Sequence, residues 1–315
     1  MAGIALLLNP LAKQHSRDPR LADRLARVLG DEGLVRYAQT LDQLGAVVEE
    51  LLARSIDVIA IAGGDGTNHA VLTQVARVYG GRPLPHVALL RGGTMNTTAN
   101  SFGIPRKSPE ELLARAKRAY QQRTVAPMRF VEPHLLRAGD HYGFIFGTGA
   151  IYGFIAEYNR RPVRSAAWAA QVLATAVASS LVGGETIRRV AERWEGTVRF
   201  DDETAFPERD YLTVGASTCG QIGLGFKPFY RSHERAEHLH VLGIHCRPSE
   251  FITGLPRIWR GVPQGGERTY EKLCRTATLV PRYDDVSYMI DGDVYVHRGE
   301  LEVACGPRVR ILAGT

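Results

Sequence analysis

A chain that reads IDVIAIAGGDGTNHAV over residues 56–71 is committed to a strand, a glycine turn and a helix in immediate succession. Val58-Ile59-Ala60-Ile61-Ala62 is rich in β-branched residues and too short for a helix, so it reads as a buried strand. Gly63-Gly64-Asp65-Gly66 follows as a turn, and Ala70, Val71, Leu72, Val75 and Val78 then recur at helical spacing. Glycines let a backbone approach an anion, and a helix N-terminus offers unpaired N–H groups and a positive dipole end. Asp65 is the unexpected member. A carboxylate beside phosphates repels them unless it holds a metal, orients a hydroxyl or takes a proton.

The surrounding chain repeats the alternation. Strands are expected at Gly3–Leu8, Leu34–Ala38 and His86–Leu90, and helices at Arg20–Gly30, Leu41–Arg54 and Glu110–Arg123. That order implies an α/β domain over 1–125 with a parallel, doubly wound sheet. Asn9, Thr40, Gly63 to Thr67 with Asn68 behind them, and the second glycine loop, Gly92-Gly93-Thr94-Met95-Asn96, all follow strand ends. Ligands in such sheets sit at those ends. Phosphate binding by the paired loops is therefore favoured over two ordinary tight turns.

After Val125 the pattern changes to short alternating segments, among them Tyr142–Thr148, Tyr211–Ser217, His238–His245 and Tyr288–Ile290. They read as a mostly antiparallel β domain over 126–305, interrupted by helical insertions near Ser165–Trp194 and Pro248–Arg260. The last strand, within 306–315, returns to the first domain. With 315 residues, two domains are the expected number.

The net charge of +6 and a pI of about 9.2 favour anionic partners, a nucleotide or an acidic lipid surface. No aromatic-and-basic pattern of an RNA-binding module is present, so nucleic acid is not expected. Ser165–Val182 is Ala- and Ser-rich and contains Gln171, which favours a soluble or membrane-surface helix over a span. Four scattered cysteines with no C-x-x-C pair fit reduced, buried thiols of a cytosolic protein, and the N-terminus lacks a basic signal region. His238 and His240 would share a strand face, but no further ligand spacing completes a zinc site.

GGDGTNHAV, then GGTMNTTANSFGIP, together resemble the diacylglycerol kinase catalytic-domain family, which includes bacterial lipid kinases and sphingosine and ceramide kinases. Asn9-Pro10 and Thr40 resemble its N-terminal Asn-Pro and its threonine near the phosphates. Gly225-Phe226-Lys227-Pro228-Phe229 resembles the strand entry before its metal loop, and Asp291-Gly292-Asp293 resembles its Asp-Gly-Glu motif. The resemblance spans nearly the whole chain. It implies an α/β nucleotide domain, a β-sandwich lipid domain, a cleft between them, and transfer of the γ-phosphate of ATP, with Mg²⁺, to a lipid hydroxyl. The nucleotide set is Asn9, Thr40, Gly63, Gly64, Asp65, Gly66, Thr67, Asn68, Gly93, Thr94 and Asn96. Asp65 would hold Mg²⁺ or polarise the hydroxyl, and Asp293 or Asp291 would take the proton, two carboxylates at strand spacing sharing one face. A hairpin turn at Asp291-Gly292 is the competing reading and is compatible with a site.

The chain departs from the family pattern at Ala70, Thr97, Asp293 and Ala236-Glu237, where the family has Glu, Asp, Glu and a metal-loop Asp-Gly. A divergent subfamily without the structural Mg²⁺ site is expected, cytoplasmic and peripheral at the inner membrane face. The acceptor stays open among diacylglycerol, ceramide and a sphingoid base. A kinase of a soluble acceptor, as NAD kinases are, and a catalytically silent nucleotide- or lipid-binding protein remain as alternatives. Tyr152, Phe154, Ile155 and Tyr158, followed by Arg160-Arg161, read as an apolar lid with a basic rim or as ordinary core. Arg257, Trp259 and Arg260 invite the same pair of readings.

Overall fold

The computed structural model describes residues 3–10, 18–93, 95–161, 165–182, 184–263 and 268–313. The chain forms two compact units, one of residues 1–133 with 307–315 and one of residues 134–306.

In the first unit, β1 (Ile4–Leu8), β2 (Leu34–Tyr37), β3 (Val58–Ala62) and β4 (His86–Leu89) alternate with α1 (Leu21–Leu29), α2 (Leu41–Ala53) and α3 (Asp65–Tyr79). α4 (Thr97–Ser101), α5 (Pro109–Gln121) and β5 (Phe130–Val131) follow. The sheet order is β2-β1-β3-β4, then the closing strand Ile311–Leu312, then β5. The pairs β1–β2, β1–β3, β3–β4 and β4–closing strand are parallel; β5 joins antiparallel. β1 and β3 are buried at every position, as strands covered on both faces must be. α1 packs on α5 and α2 on α3. Arg24 on α1 fastens the first pair by reaching Glu110 Oε1 at 2.7 Å.

The boundary falls at Pro133 rather than Val125 because β5 pairs with the closing strand. Two further differences have local causes. α3 starts at Asp65, inside the expected turn, with Gly64 as its N-cap. The short helix α4 is not announced by the sequence, a five-residue stretch with no apolar period.

The second unit is a sandwich of two six-stranded sheets. Its strands are β6 (His134–Ala138), β7 (His141–Gly143), β8 (Ile145–Thr148), β9 (Trp194–Phe200), β10 (Asp210–Tyr211) and β11 (Thr213–Ser217). They continue with β12 (Leu239–Ile244), β13 (Thr269–Cys274), β14 (Thr276–Pro281), β15 (Asp285–Ile290), β16 (Asp293–Arg298) and β17 (Leu301–Arg308). One sheet runs β10-β9-β14-β17-β6-β7 and the other β13-β12-β11-β8-β15-β16. Phe146, Val214, Val241 and Ile290 of one meet Val198, Leu279 and Val303 of the other in a single core. The expected strand Tyr142–Thr148 is divided at Phe144, because β7 and β8 belong to different sheets. β11 and β12 are buried throughout, and α6 (Ala150–Asn159) packs on β11. The sequence suggests an apolar lid or ordinary core at that helix. It is followed by α7 (Ala166–Val182) and α8 (Glu185–Val190), and α9 (Pro248–Arg260) packs against α7. Trp194, expected to end a helix, begins β9 instead.

All four cysteines are free. Burial pushes the Cys274 and Cys305 thiols up to about 12 and about 11, which makes them packing groups and poor nucleophiles.

Candidate functional site

In the first unit, β1 and β3 are neighbours while β2 lies on the far side of β1, so the connections diverge there. The loops leaving β1 and β3 thus flank the switch point of the sheet. Asn9 leaves β1, and its Nδ2 lies 3.5 Å from the Oγ1 of Thr67 in the first turn of α3. Gly63 is required there: a Cβ would sit 2.3 Å from the Thr67 Cβ. Gly64 is extended and caps α3 without a side chain, which leaves the first-turn N–H groups of a fifteen-residue helix for another acceptor. Asn68, behind them, is 3% exposed, and its Oδ1 has no hydrogen-bond partner among the described residues.

The second glycine loop touches the first, backbone against backbone. A Cβ on Gly93 would lie 2.5 Å from the Gly64 Cα, and one on Gly64 would lie 2.9 Å from the Gly93 Cα. Asn96 closes this loop by donating from Nδ2 to the Gly93 carbonyl at 2.7 Å and accepting the Gly93 N–H at 3.0 Å. Its φ of 47° is one that Asn tolerates. Thr94 lies outside the described residues.

The unexpected carboxylate joins the two loops. Asp65 Oδ2 accepts the Thr97 N–H and Oδ1 accepts the Thr98 N–H, each at 3.0 Å. Asn96 is the N-cap of α4 but makes no side-chain cap, and Asp65 supplies that cap from another helix. Each carboxylate oxygen is thus already engaged once before any metal or hydroxyl arrives.

Arg91 and Asn100 belong to the same framework, and the motifs do not mark them. Arg91 Nη2 donates to Asn100 Oδ1 at 2.7 Å, and Nη1 to the Ile104 carbonyl at 2.9 Å. Asn100 Nδ2 donates to the Met95 carbonyl at 3.0 Å. Burial, then Arg106, pulls the Arg91 guanidinium below its ordinary value, with Asp65 acting in the opposite direction. The one sequence signal is an arginine wedged between a buried strand and a Gly-Gly pair. Thr40 serves the fold, since its Oγ1 caps α2 by accepting the Gln43 N–H at 3.2 Å.

In the second unit, Asp291-Gly292 is the two-residue loop of the β15–β16 hairpin, closed by the Ile290–Asp293 pair. Both loop residues have positive φ, 48° and 99°, as a type I′ turn requires. The expectation that Asp291 and Asp293 share a strand face is corrected, because Asp291 stands in the turn where alternation no longer applies. Asp291 Oδ1 accepts the Phe144 and Ile145 N–H groups at 3.1 and 3.0 Å, where the chain passes from one sheet to the other. The Asp291 N–H donates to the Ile145 carbonyl at 3.1 Å. Asn159, at the end of α6, donates from Nδ2 to the Gly292 carbonyl at 3.1 Å. Asp293 is the half-buried first residue of β16. The Tyr295 phenol is pushed up by burial first and by Asp293 second. His141 stacks on Tyr295 with ring centroids 3.7 Å apart and sits 3.1 Å from the Tyr288 hydroxyl.

Among the described residues no group of three or more His, Cys, Asp or Glu side chains is placed to hold a metal ion. Glu237, where the family's metal loop falls, pairs with Arg275 at 2.7 Å. His238 and His240 do not act together: His238 is half-buried and bonds the Ala236 carbonyl at 2.8 Å, while His240 is fully buried 3.6 Å from Glu271.

The fold and its loops define a class: an α/β unit with paired glycine loops at the carboxyl ends of adjacent parallel strands, followed by an antiparallel sandwich. Residues 3–129 match the model of the diacylglycerol kinase catalytic domain. That match, to a kinase domain, supports a phosphotransferase. A crystal structure described as a diacylglycerol kinase from Bacillus anthracis str. Sterne has a TM-score of 0.66 at 13% identity. Another from the same source, described as a putative diacylglycerol kinase, has 0.68 at 14% identity. Each match covers 99% of this chain and 97% of the other. At such identity the likeness is one of fold. No curated protein matches the sequence.

Proposed function

We propose that the chain is an ATP-dependent lipid kinase that moves the γ-phosphate to the hydroxyl of a neutral lipid, a diacylglycerol, ceramide or sphingoid base. The observation that carries the reading is the contact of Gly64 with Gly93 at the open N-terminus of α3. Two segments of the chain meeting without side chains leave the first-turn N–H groups of α3 open to phosphate oxygens. The Asn9 amide, the Thr67 hydroxyl and the buried Asn68 amide supply polar groups around them. Mg²⁺ bound with the nucleotide would supply charge neutralisation at the phosphates. Asp65 holds the two loops in register.

Asp293 is assigned as the base. It takes the proton of the acceptor hydroxyl as that oxygen bonds to the γ-phosphorus; the bond to the β–γ bridging oxygen breaks and ADP leaves. Asp291 is a positioning residue, since its carboxylate serves the Phe144 and Ile145 N–H groups. A protein acting on such lipids works from the cytoplasmic side as a peripheral visitor to an anionic membrane surface, and among the described residues no helix is long and apolar enough to cross a membrane.

The test is incubation with ATP, Mg²⁺ and a total lipid extract, followed by mass spectrometry. A lipid species should gain one phosphate, and Asp293→Asn should slow that gain by about 100-fold or more. A wild-type chain that phosphorylates no lipid, or an Asp293→Asn chain as fast as wild type, overturns the corresponding part of the reading. A parallel lipid-free arm with NAD and polyols reveals a soluble acceptor.

A further inference from the structure

The C-terminal end of α9 displays apolar side chains in a fixed frame. Ile258 is buried and anchors the helix, while Trp259 beside it is 57% exposed and Val262 is 42% exposed. Val262 does not dangle. Gly261, at φ 70°, ends the helix; its N–H donates to the Ile258 carbonyl and the Val262 N–H to the Arg257 carbonyl, each at 3.1 Å. That is the Schellman arrangement. Arg257 and Arg260 flank the tryptophan, both exposed, and Arg257 Nε is tied to the Pro263 carbonyl at 3.0 Å. The acid of this helix, Glu250, lies in its first turn, where it accepts the Arg247 N–H at 3.1 Å. α9 packs on α7, a seventeen-residue helix with no charged residue. α7 buries Ala169, Val172 and Ala176 and turns other alanines outward.

We propose that the Trp259–Val262 turn of α9, with Arg257 and Arg260 beside it, is the element by which this protein docks on an anionic phospholipid bilayer. An exposed indole held rigid at a helix end suits the boundary of a bilayer, where its ring is apolar and its N–H stays wet. Two arginines at the same end place positive charge on anionic headgroups while their stems lie along apolar surface. The uncharged flank of α7 adds no desolvation cost of charge as that surface approaches. The choice of a bilayer over a protein partner rests on the lipid-kinase reading.

The test is co-sedimentation with phosphatidylcholine vesicles, with and without phosphatidylglycerol, in the absence of ATP. Wild type binds the anionic vesicles, more weakly as salt rises. Trp259→Ala and the double variant Arg257→Glu/Arg260→Glu each lose roughly tenfold or more of that binding with an unchanged circular dichroism spectrum. The double variant keeps the tryptophan, so it decides the matter should Trp259→Ala misfold. Wild type that ignores anionic vesicles, or variants that bind as wild type does, overturn the docking role. Concentration-dependent self-association abolished by Trp259→Ala, without vesicle binding, reassigns the surface to a second copy of the chain and also overturns it. No phosphate transfer occurs in this assay, so an inactive chain that binds vesicles sinks the kinase reading alone. An active chain that does not bind them sinks only the docking.

Discussion

At the scale of single residues, Asp65 changes meaning most. A carboxylate among phosphate-binding glycines suggests a metal ligand or a base, and on that basis Asp65→Ala would remove activity from an intact fold. Its two N–H partners on α4 make it a cap that ties one glycine loop to the other. Asp65→Asn replaces one accepting oxygen by an NH₂ that faces a donor. It is expected to cost about 1–3 kcal/mol of folding stability, read by urea denaturation, and to weaken ATP binding. If Asp65→Asn leaves both unchanged and lowers only turnover, the residue acts on the substrate and not on the loops. Gly93→Ala tests the same junction without touching charge. Its Cβ would lie 2.5 Å from the Gly64 Cα, closer than real atoms approach, so the loops must part. Titration should show weaker ATP binding by this variant, with a stability loss of about 1–3 kcal/mol.

At the scale of elements, the β15–β16 hairpin separates two aspartates that look equivalent in sequence. Asp291 is a turn residue whose carboxylate satisfies the N–H groups at the β7–β8 crossing, and Asp293 opens the next strand. Asp291→Asn is therefore expected to lower the melting temperature, and Asp293→Asn to leave it nearly unchanged while removing lipid phosphorylation. Equal melting losses would contradict the division of roles. Much of this is legible in the sequence. The Asp-Gly pair signals a type I′ turn by itself, and the glycine loops follow strands whose apolar runs are unmistakable. What the sequence hides is partnership at long range. Nothing local marks Phe144 as the point where one strand becomes two, Asn159 as a donor to Gly292, or Arg91 as the brace of Asn100. Short elements hide for a related reason: five residues of α4 carry no period, and their helix exists because Asp65 caps it from another helix. His238 and His240 do not form a shared face because β12 begins after His238.

At the scale of the whole molecule, the first unit is closed by a strand that arrives after the second unit has been made. Ile311 pairs with Val87 on β4 and with Val131 on β5, and the Val87 N–H donates to the Arg310 carbonyl at 2.8 Å. Val309 and Ile311 are completely buried. β4 leads directly into Arg91 and the second glycine loop, so the strand that steadies β4 also steadies that loop. None of the glycine motifs lies in residues 307–315, yet their geometry depends on those residues being present. Ile311→Ala is expected to cost about 3 kcal/mol, the usual loss for a fully buried isoleucine, and to move the denaturation midpoint measured by circular dichroism. Removal of residues 307–315 goes further, because it leaves one edge of β4 unpaired and uncovers apolar surface. ATP should raise the melting temperature of the full chain by mass action and should fail to raise that of the truncated one. A truncated chain that ATP still stabilises would mean that β3, β4 and their loops hold their geometry without the closing strand.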